Sequence, residues 1–296
     1  MHWKNLWKEL TPHPLSSIKQ ATEQYHHAIQ FIAMCGNNLL PGQTDDSQTN
    51  LEWWPDRSSF SGRRIPGKPT FRLVLDTQDF SLIFYRDVRH PGEYLSLDGL
   101  NEKEVYSWVN DMTLRKGSHT GSLRRIQHYR TPPHPLSEGA TFTTPSSSAQ
   151  DILAAYRSNA DLILAHMAAK FPSASPVRVW PHHFDTGSSV PLTFDTDSQI
   201  SEAVGFGLAI PDMYTPDYYF YVNFLAKESK LPIASFPTLE GLGKWHTEGW
   251  VGRILPLSKV VELSSSTQQA EAVEGFFYHG VDAVLGLLGK ASLKPF

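Results

Sequence analysis

The chain has 296 residues, which is enough for two domains of ordinary size. About 40% of them are apolar and 19% are charged, so a sizeable core can form, and a net charge of −4 without a basic stripe gives no reason to expect a nucleic-acid partner. Cys35 is the only cysteine, which excludes an intramolecular disulfide and fits a reducing compartment.

The N-terminal segment predicts a short helix that docks on the rest of the protein, because Trp3, Leu6, Trp7 and Leu10 share one helical face. The segment lacks the uninterrupted apolar core of a secretory signal. No stretch of the chain approaches the length of a membrane span. We therefore expect a soluble, cytoplasmic protein without a membrane partner. The sequence carries no indication of its oligomeric state.

A long helix is predicted from Pro14 to Met34, where apolar residues recur every three or four positions, and Gly36 is predicted to end it. His26 and His27 lie off the apolar stripe, so we expect them to be exposed. The thiol of Cys35 is expected to be buried near the helix end.

A β-hairpin and a second helix follow in the first half of the chain. The runs 71–75 and 80–85 are strand-like and are joined by a short polar turn. Asn101 and Glu104 have the spacing of a capping box, which predicts a helix after them. Further on, a basic cluster that contains Arg125 and Arg130 is expected to lie in a solvated loop.

The second half repeats this order of elements. A helix through 152–167, strand runs at 203–210 and 218–224, and a closing amphipathic helix are predicted. Trp54-Pro55 and Trp180-Pro181 occupy equivalent places, each after a helix and before strands. We therefore predict an α+β fold with mainly antiparallel sheets, built by tandem duplication of a helix–strand–hairpin–helix unit. The predicted repeats are 1–130 and 149–296, with a linker at 131–148 that is rich in proline, serine and threonine.

Two segments of the second half combine imidazole and carboxylate groups with tryptophan, namely 180–187 and 245–250. If both are extended, His183 and Asp185 share one face, and so do His246 and Glu248. Four such nitrogen and oxygen donors would suit a divalent metal: zinc, iron, manganese or nickel. The same four residues are candidate acid–base groups of an enzyme.

Two other interpretations of these segments stay open. In one, they form a polar pocket without a metal, or they are only packing residues whose histidines are hydrogen-bonded. In the other, the protein is a non-catalytic binding protein with an aromatic cleft for a small molecule. The candidate ligand-binding residues are Trp180, His182, Tyr219, Tyr221 and Trp245, with Tyr219 and Tyr221 on the same face of one strand.

The segments Trp180 to Asp185 and Trp245 to Trp250 together resemble a family of bacterial proteins catalogued only as a domain of unknown function. The resemblance covers the second half of the chain, and extends to the first half through Asn50-Leu51 and the run 60–62. It implies no activity, no cofactor and no site residues. It singles out the same two segments as the residue chemistry does.

Overall fold

The structure, a computed structural model, describes residues 3–87, 90–125, 128–227, 236–238 and 240–293. The helices are α1 (Leu15–Leu39), α2 (Glu102–Arg115), α3 (Ser147–Ala168), α4 (Leu257–Val260) and α5 (Ser266–Leu287). The strands are β1 (Glu52–Trp54), β2 (Ser59–Ser61), β3 (Arg72–Asp76), β4 (Ser81–Asp87), β5 (His90–Ser96), β6 (Arg178–Trp180), β7 (Asp185–Phe194), β8 (Ile200–Ala209), β9 (Tyr219–Ala226), β10 (Lys244–His246) and β11 (Gly252–Pro256). Helices packed on antiparallel sheets confirm the predicted α+β class.

The described chain divides into two compact units. One unit comprises 14–154 and 178–184, and it is called the cleft unit below; the other comprises 1–13, 155–177 and 185–296, and it is called the tyrosine unit. Segment 131–148, expected to be a linker, contains Leu136 and Phe142 as fully buried core residues. Whether the chain arose by tandem duplication stays a prediction.

The cleft unit is built on a five-stranded antiparallel sheet in the order β1-β2-β3-β4-β5. The predicted hairpin is confirmed as β3 and β4, with Leu73 paired to Phe84. Helix α1 packs against β3, and its Tyr25 hydroxyl donates to the Thr77 carbonyl at 2.9 Å. Each large apolar side chain buried in this layer contributes roughly 1.5–3 kcal/mol. That burial holds α1 in place and so fixes the residues on its other faces.

Helix α1 was predicted to end at Gly36, but it continues to Leu39. A Cβ atom at Gly36 would overlap the backbone carbonyl group of Gln48. Glycine is therefore needed here for close approach of two backbones and not as a helix terminator. The neighbouring Cys35 is buried as expected, and burial raises the pKa of its thiol to about 12.

The capping box predicted for α2 is confirmed. The Asn101 side chain accepts hydrogen bonds from the backbone N–H groups of Lys103 and Glu104, and the Glu104 carboxylate accepts from the Asn101 N–H at 2.8 Å. The helix therefore begins at Glu102 in a fixed direction. This matters because the Glu102 side chain belongs to the candidate site.

The tyrosine unit has strands in the order β7-β8-β9-β11-β10, and α5 packs on β8 and β9. Phe206 and Phe220 meet Phe277 of this helix on one face of the sheet. The N-terminal segment docks as predicted through Trp7 and Leu10, both buried, although it forms a single 3-10 turn at Trp3–Leu6. Leu6 is exposed, contrary to the shared face expected for it.

Arg253 is a buried arginine in β11 that is held by backbone oxygens. Its guanidinium donates to the carbonyls of Phe276, Glu240 and Leu242 at 2.9, 3.1 and 2.8 Å. Burial lowers its pKa to about 10. The side chain thereby joins the loop before β10 to α5. Among the residues that the structure describes, no helix has the length and apolarity needed to cross a membrane.

Candidate functional site

One face of α1 lines a cleft of about 340 Å³ in the cleft unit. His27, Gln30, Phe31 and Met34 are spaced three and four positions apart, so their side chains lie on one side of the helix. The other residues around the cleft are Glu102, Arg125, Tyr129, Arg130, Thr131 and Ser137. The volume falls at the lower end of the ~300–1,000 Å³ that is typical of small-molecule sites.

A charged group lies at the α2 side of the cleft. His27 Nδ1 is 3.3 Å from Glu102 Oε1, and the Arg125 guanidinium forms an ion pair with Glu102 Oε2. Burial opposes ionisation of Glu102, but the hydrogen bonds from His27 and Arg125 outweigh it, so its pKa is lowered. Glu102 is therefore a carboxylate at neutral pH, and both its oxygens have partners.

The loop that carries Arg125 is fastened to both helices of the cleft. Asn38 at the end of α1 accepts from the Arg124 N–H at 2.8 Å and donates to the Arg124 carbonyl at 3.0 Å. On the α2 side, the Tyr106 hydroxyl donates to the Leu123 carbonyl at 2.8 Å, and the Asn110 side chain accepts from the Leu123 N–H. The side chains of Arg125 and Arg130 are exposed as predicted, but the backbone beside Arg125 is anchored.

Gln30 connects the cleft to the segment 180–187, which begins with Trp180. Its amide nitrogen donates to the carbonyls of His26 and Pro181 at 3.0 and 2.9 Å, and its oxygen accepts from the Tyr129 hydroxyl at 2.8 Å. His26 Nε2 donates to the same Pro181 carbonyl, and its ring stacks on Phe184 at 5.1 Å. Pro181 and Phe184 thus hold α1 in place beside the cleft.

His134 begins the 3-10 turn Pro135–Glu138 that forms another wall of the cleft. Its Nδ1 accepts from the Leu136 N–H at 3.2 Å, so this nitrogen is unprotonated. Its ring lies 5.0 Å from that of His27, and its Nε2 is 3.8 Å from a Glu23 oxygen. Burial, and then the charge of His27, lower the pKa of His134 against the opposing carboxylates Glu23 and Glu102.

The prediction that His26 and His27 are exposed is wrong, since their exposed fractions are 3% and 4%. The apolar stripe of α1 packs on the sheet. The neighbouring face is covered as well, because His26 contacts Pro181 and His27 contacts Glu102. His27, Gln30 and Glu102 were therefore not predicted as residues of the candidate site. Their signal was a polar and apolar mixture at positions 27, 30, 31 and 34, a second stripe on the same helix.

The segment 180–187 is not one extended strand, as its interpretation required. Strand β6 ends at Trp180, residues 181–184 form a turn in which Phe184 has a φ of 54°, and β7 begins at Asp185. Because proline and the turn interrupt the alternation, the predicted shared face of His183 and Asp185 has no basis. The His182 ring lies 6.1 Å from Trp180, 4.4 Å from His183 and 5.8 Å from Tyr129.

The segment 245–250 also bends. Strand β10 ends at His246, and His246 Nε2 donates to the backbone carbonyl of Glu248 at 2.7 Å. The His246 ring packs against Tyr214 and Trp250, at 5.2 and 5.3 Å. His246 and Glu248 therefore meet through a main-chain oxygen and not as a pair of strand side chains. On the strand itself, Trp245 Nε1 donates to the Pro237 carbonyl at 2.9 Å.

Tyr219 and Tyr221 line one face of β9, as predicted, with ring centroids 6.5 Å apart. The Tyr219 hydroxyl donates to Asp212 Oδ2 at 2.6 Å, and the Tyr221 hydroxyl donates to Asp185 Oδ2 at 2.7 Å. Burial, and then the charge of Asp185, raise the pKa of Tyr221 well above its ordinary value.

Glycines on β7 and β8 make room for the Tyr221 ring. A Cβ at Gly187 would lie 2.8 Å from the Tyr221 hydroxyl, and one at Gly207 would lie 2.5 Å from it. Tyr219, Ala209 and Ile254 form a small apolar cluster against which Tyr221 and Trp250 pack. A ligand-binding role for these tyrosines stays a prediction.

The metal set of His183, Asp185, His246 and Glu248 gains no support from this geometry. Within the described ranges, no group of three or more histidine, cysteine, aspartate or glutamate side chains is placed to hold a metal ion. Asp185 accepts from Tyr221, and His246 commits Nε2 as a donor, which leaves only Nδ1 of that ring able to ligate.

Comparison with known proteins does not add to this geometry. No family model, no curated protein and no solved structure matches the chain.

Proposed function

We propose that the protein binds a small organic molecule in the cleft beside α1. The observation that carries this proposal is the convergence of a His27–Glu102–Arg125 group, three hydroxyl-bearing residues and two apolar side chains on one cavity of about 340 Å³. Small-molecule sites combine an apolar surface with a few oriented polar groups in this way. A polar histidine and carboxylate pocket was expected from the sequence, at other residues.

A cleft-filling substitution tests the proposal. In Ser137→Tyr a ring replaces an exposed hydroxymethyl group at the cleft wall. Ser148→Tyr places the same ring at an exposed position of α3, outside the cleft lining. A mixture of small acids, amides and amines is offered to each protein, and binding is read by saturation-transfer NMR. We expect compounds that bind the wild type and Ser148→Tyr but not Ser137→Tyr. Binding that survives in Ser137→Tyr, or no binding to any protein, would contradict the proposal.

An enzyme is the second candidate, and the pairing of His27 with Glu102 favours it. A carboxylate that accepts from one imidazole nitrogen orients the ring and strengthens the other nitrogen as a proton acceptor. The methyl ester of whichever acid binds would be offered to the wild type and to His27→Gln. Ester hydrolysis that is lost in His27→Gln would replace a binding role with a catalytic one.

The cellular setting is part of the same proposal. A cytoplasmic location rests on a single cysteine that is buried, and the expectation of no nucleic-acid partner rests on the low and dispersed basic content.

A further inference from the structure

We infer that the ligand of the cleft is a small monocarboxylate with an apolar body, and that Arg130 binds its charge. This inference rests on the proposed function and names the chemical class of its ligand. It follows from the charges around the cleft, from the commitments of Glu102 and from the apolar surface of α1.

The cleft has one more positive charge than negative. Among the described residues that line it, Arg125 and Arg130 are the cations and Glu102 is the one carboxylate, so two charges against one leave a net charge of +1 when His27 is neutral. Within the described residues, no carboxylate forms an ion pair with Arg130. A ligand with a single negative charge would balance the cleft, whereas a phosphate monoester with nearly two would not.

Glu102 is not available to recognise a cationic ligand. One of its oxygens accepts from His27 and the other is paired with Arg125. An ammonium group brought next to this carboxylate would have to displace Arg125 and would lie near Arg130. Two like charges that lie close together without a partner of opposite charge repel each other.

Arginine and an apolar surface together select a carboxylate with a hydrocarbon body. The planar guanidinium of Arg130 can donate two parallel hydrogen bonds to a carboxylate. Phe31 and Met34 are each 4% exposed and face the same cleft, so they can pack against a ring or a short alkyl chain. Thr131, next to Arg130, adds a hydroxyl at the same wall.

Four probes of one shape test the inference. Benzoate, neutral benzamide, cationic benzylamine and dianionic phenyl phosphate share one ring and differ in charge. We expect benzoate to bind at least about tenfold more tightly than the other three, as a charge-assisted hydrogen bond of about 1.5–3 kcal/mol allows. Dissociation constants are measured by NMR titration of each probe.

Variants of the arginines make the test specific. Arg130→Gln should weaken benzoate binding about tenfold or more and leave benzamide unchanged, while Arg130→Lys should retain part of the preference. Arg124→Gln, an exposed arginine of the same loop outside the cleft lining, should behave as the wild type.

Equal binding of benzoate and benzamide, or of benzoate to wild type and Arg130→Gln, would overturn the inference. Tighter binding of phenyl phosphate or benzylamine would also overturn it. If benzoate and benzamide bind equally and Ser137→Tyr abolishes the binding of both, the proposed function stands while this inference falls. If the wild type binds no benzoate, the inference falls, and the wider mixture of compounds decides the proposed function.

Discussion

The amide of Gln30 shows how a single side chain can join a sequence motif to a cleft. Its amide nitrogen donates to the carbonyls of His26 on the same helix and of Pro181, and its oxygen accepts from Tyr129. The bond to Pro181 uses a main-chain oxygen, so no side-chain pattern in the motif could have announced it. The sequence pattern therefore pointed to the histidines of segment 180–187, whereas the contact with Gln30 is made by the Pro181 carbonyl.

At His134 the sign of a pH effect follows from burial of the ring and from the charge of His27, and the hydrogen bond that Nδ1 accepts acts in the same direction. The folded protein favours the neutral ring, so its pKa is lowered relative to the unfolded chain. The stability that it contributes is complete above about pH 6.5, the ordinary value for histidine, and is lost as the pH falls through the lower folded value. Acid therefore weakens the cap of the 3-10 turn at the cleft wall.

His134→Asn isolates this effect, because asparagine keeps a cap acceptor and does not titrate. Between pH 7.5 and 5.5 we expect the variant to lose less unfolding free energy than the wild type, by about 1 kcal/mol, the usual cost of a lost cap. Thermal unfolding at both pH values measures it. Histidines that do not contact His134 are common to both proteins and cancel in the comparison, whereas His27 is coupled to His134 and contributes to the measured difference. An identical pH dependence would show that the cap does not titrate.

At the scale of elements, structures that depend on neighbouring residues were predicted, whereas those that depend on contacts between distant segments were not. The hairpin of β3 and β4 and the capping box of α2 depend on neighbouring residues, so the sequence contains what specifies them. The continuation of α1 through Gly36 depends on Gln48, which lies in a loop 12 positions further along the chain. Residues 181–184 likewise form a turn where an extended segment was predicted, because tertiary packing outweighed the two-residue alternation of side chains.

Gly36→Ala should destabilise the protein by about 1–3 kcal/mol, the usual cost of overpacking, because the new methyl group overlaps the Gln48 carbonyl group. Gly286→Ala in α5 is the matched control, since nothing lies within 4 Å of its added carbon. There the better helix propensity of alanine should stabilise by about 0.5–1 kcal/mol. Urea unfolding compares the two. A neutral Gly36→Ala would mean that the loop yields.

At the scale of the whole molecule, the order of elements parallels the predicted repeats. In each half a long helix precedes a three-residue strand that ends on tryptophan, at Trp54 and Trp180. A turn that contains proline follows, and its last residue, Ser58 or Phe184, has a positive φ of 47° or 54°. These parallels favour the duplication hypothesis. The division into compact units was not readable, because it depends on which segments associate and not on their order.

Elemental analysis of the whole protein separates the cleft proposal from the metal hypothesis. We expect less than stoichiometric zinc, iron, manganese or nickel, and no change of Tm with a chelator, because the Asp185 and His246 side chains already have protein partners. His183→Ala and His246→Ala serve as comparisons. One equivalent of metal in the wild type that both variants lose would restore the ligand set predicted from the sequence.

The ring of Tyr221 lies where two glycines on neighbouring strands leave it space. A Cβ at Gly207 would overlap both the Thr186 carbonyl and the Tyr221 ring, and a Cβ at Gly187 would press on the Tyr221 hydroxyl. A smaller residue at 221 would leave a void and would remove the hydroxyl that donates to Asp185. Only a few combinations of residues at positions 185, 187, 207 and 221 therefore pack without a clash or a void, and no single substitution leads from one to another. A lineage could exchange this arrangement only by passing through a poorly packed intermediate, so the four residues should be inherited as a block.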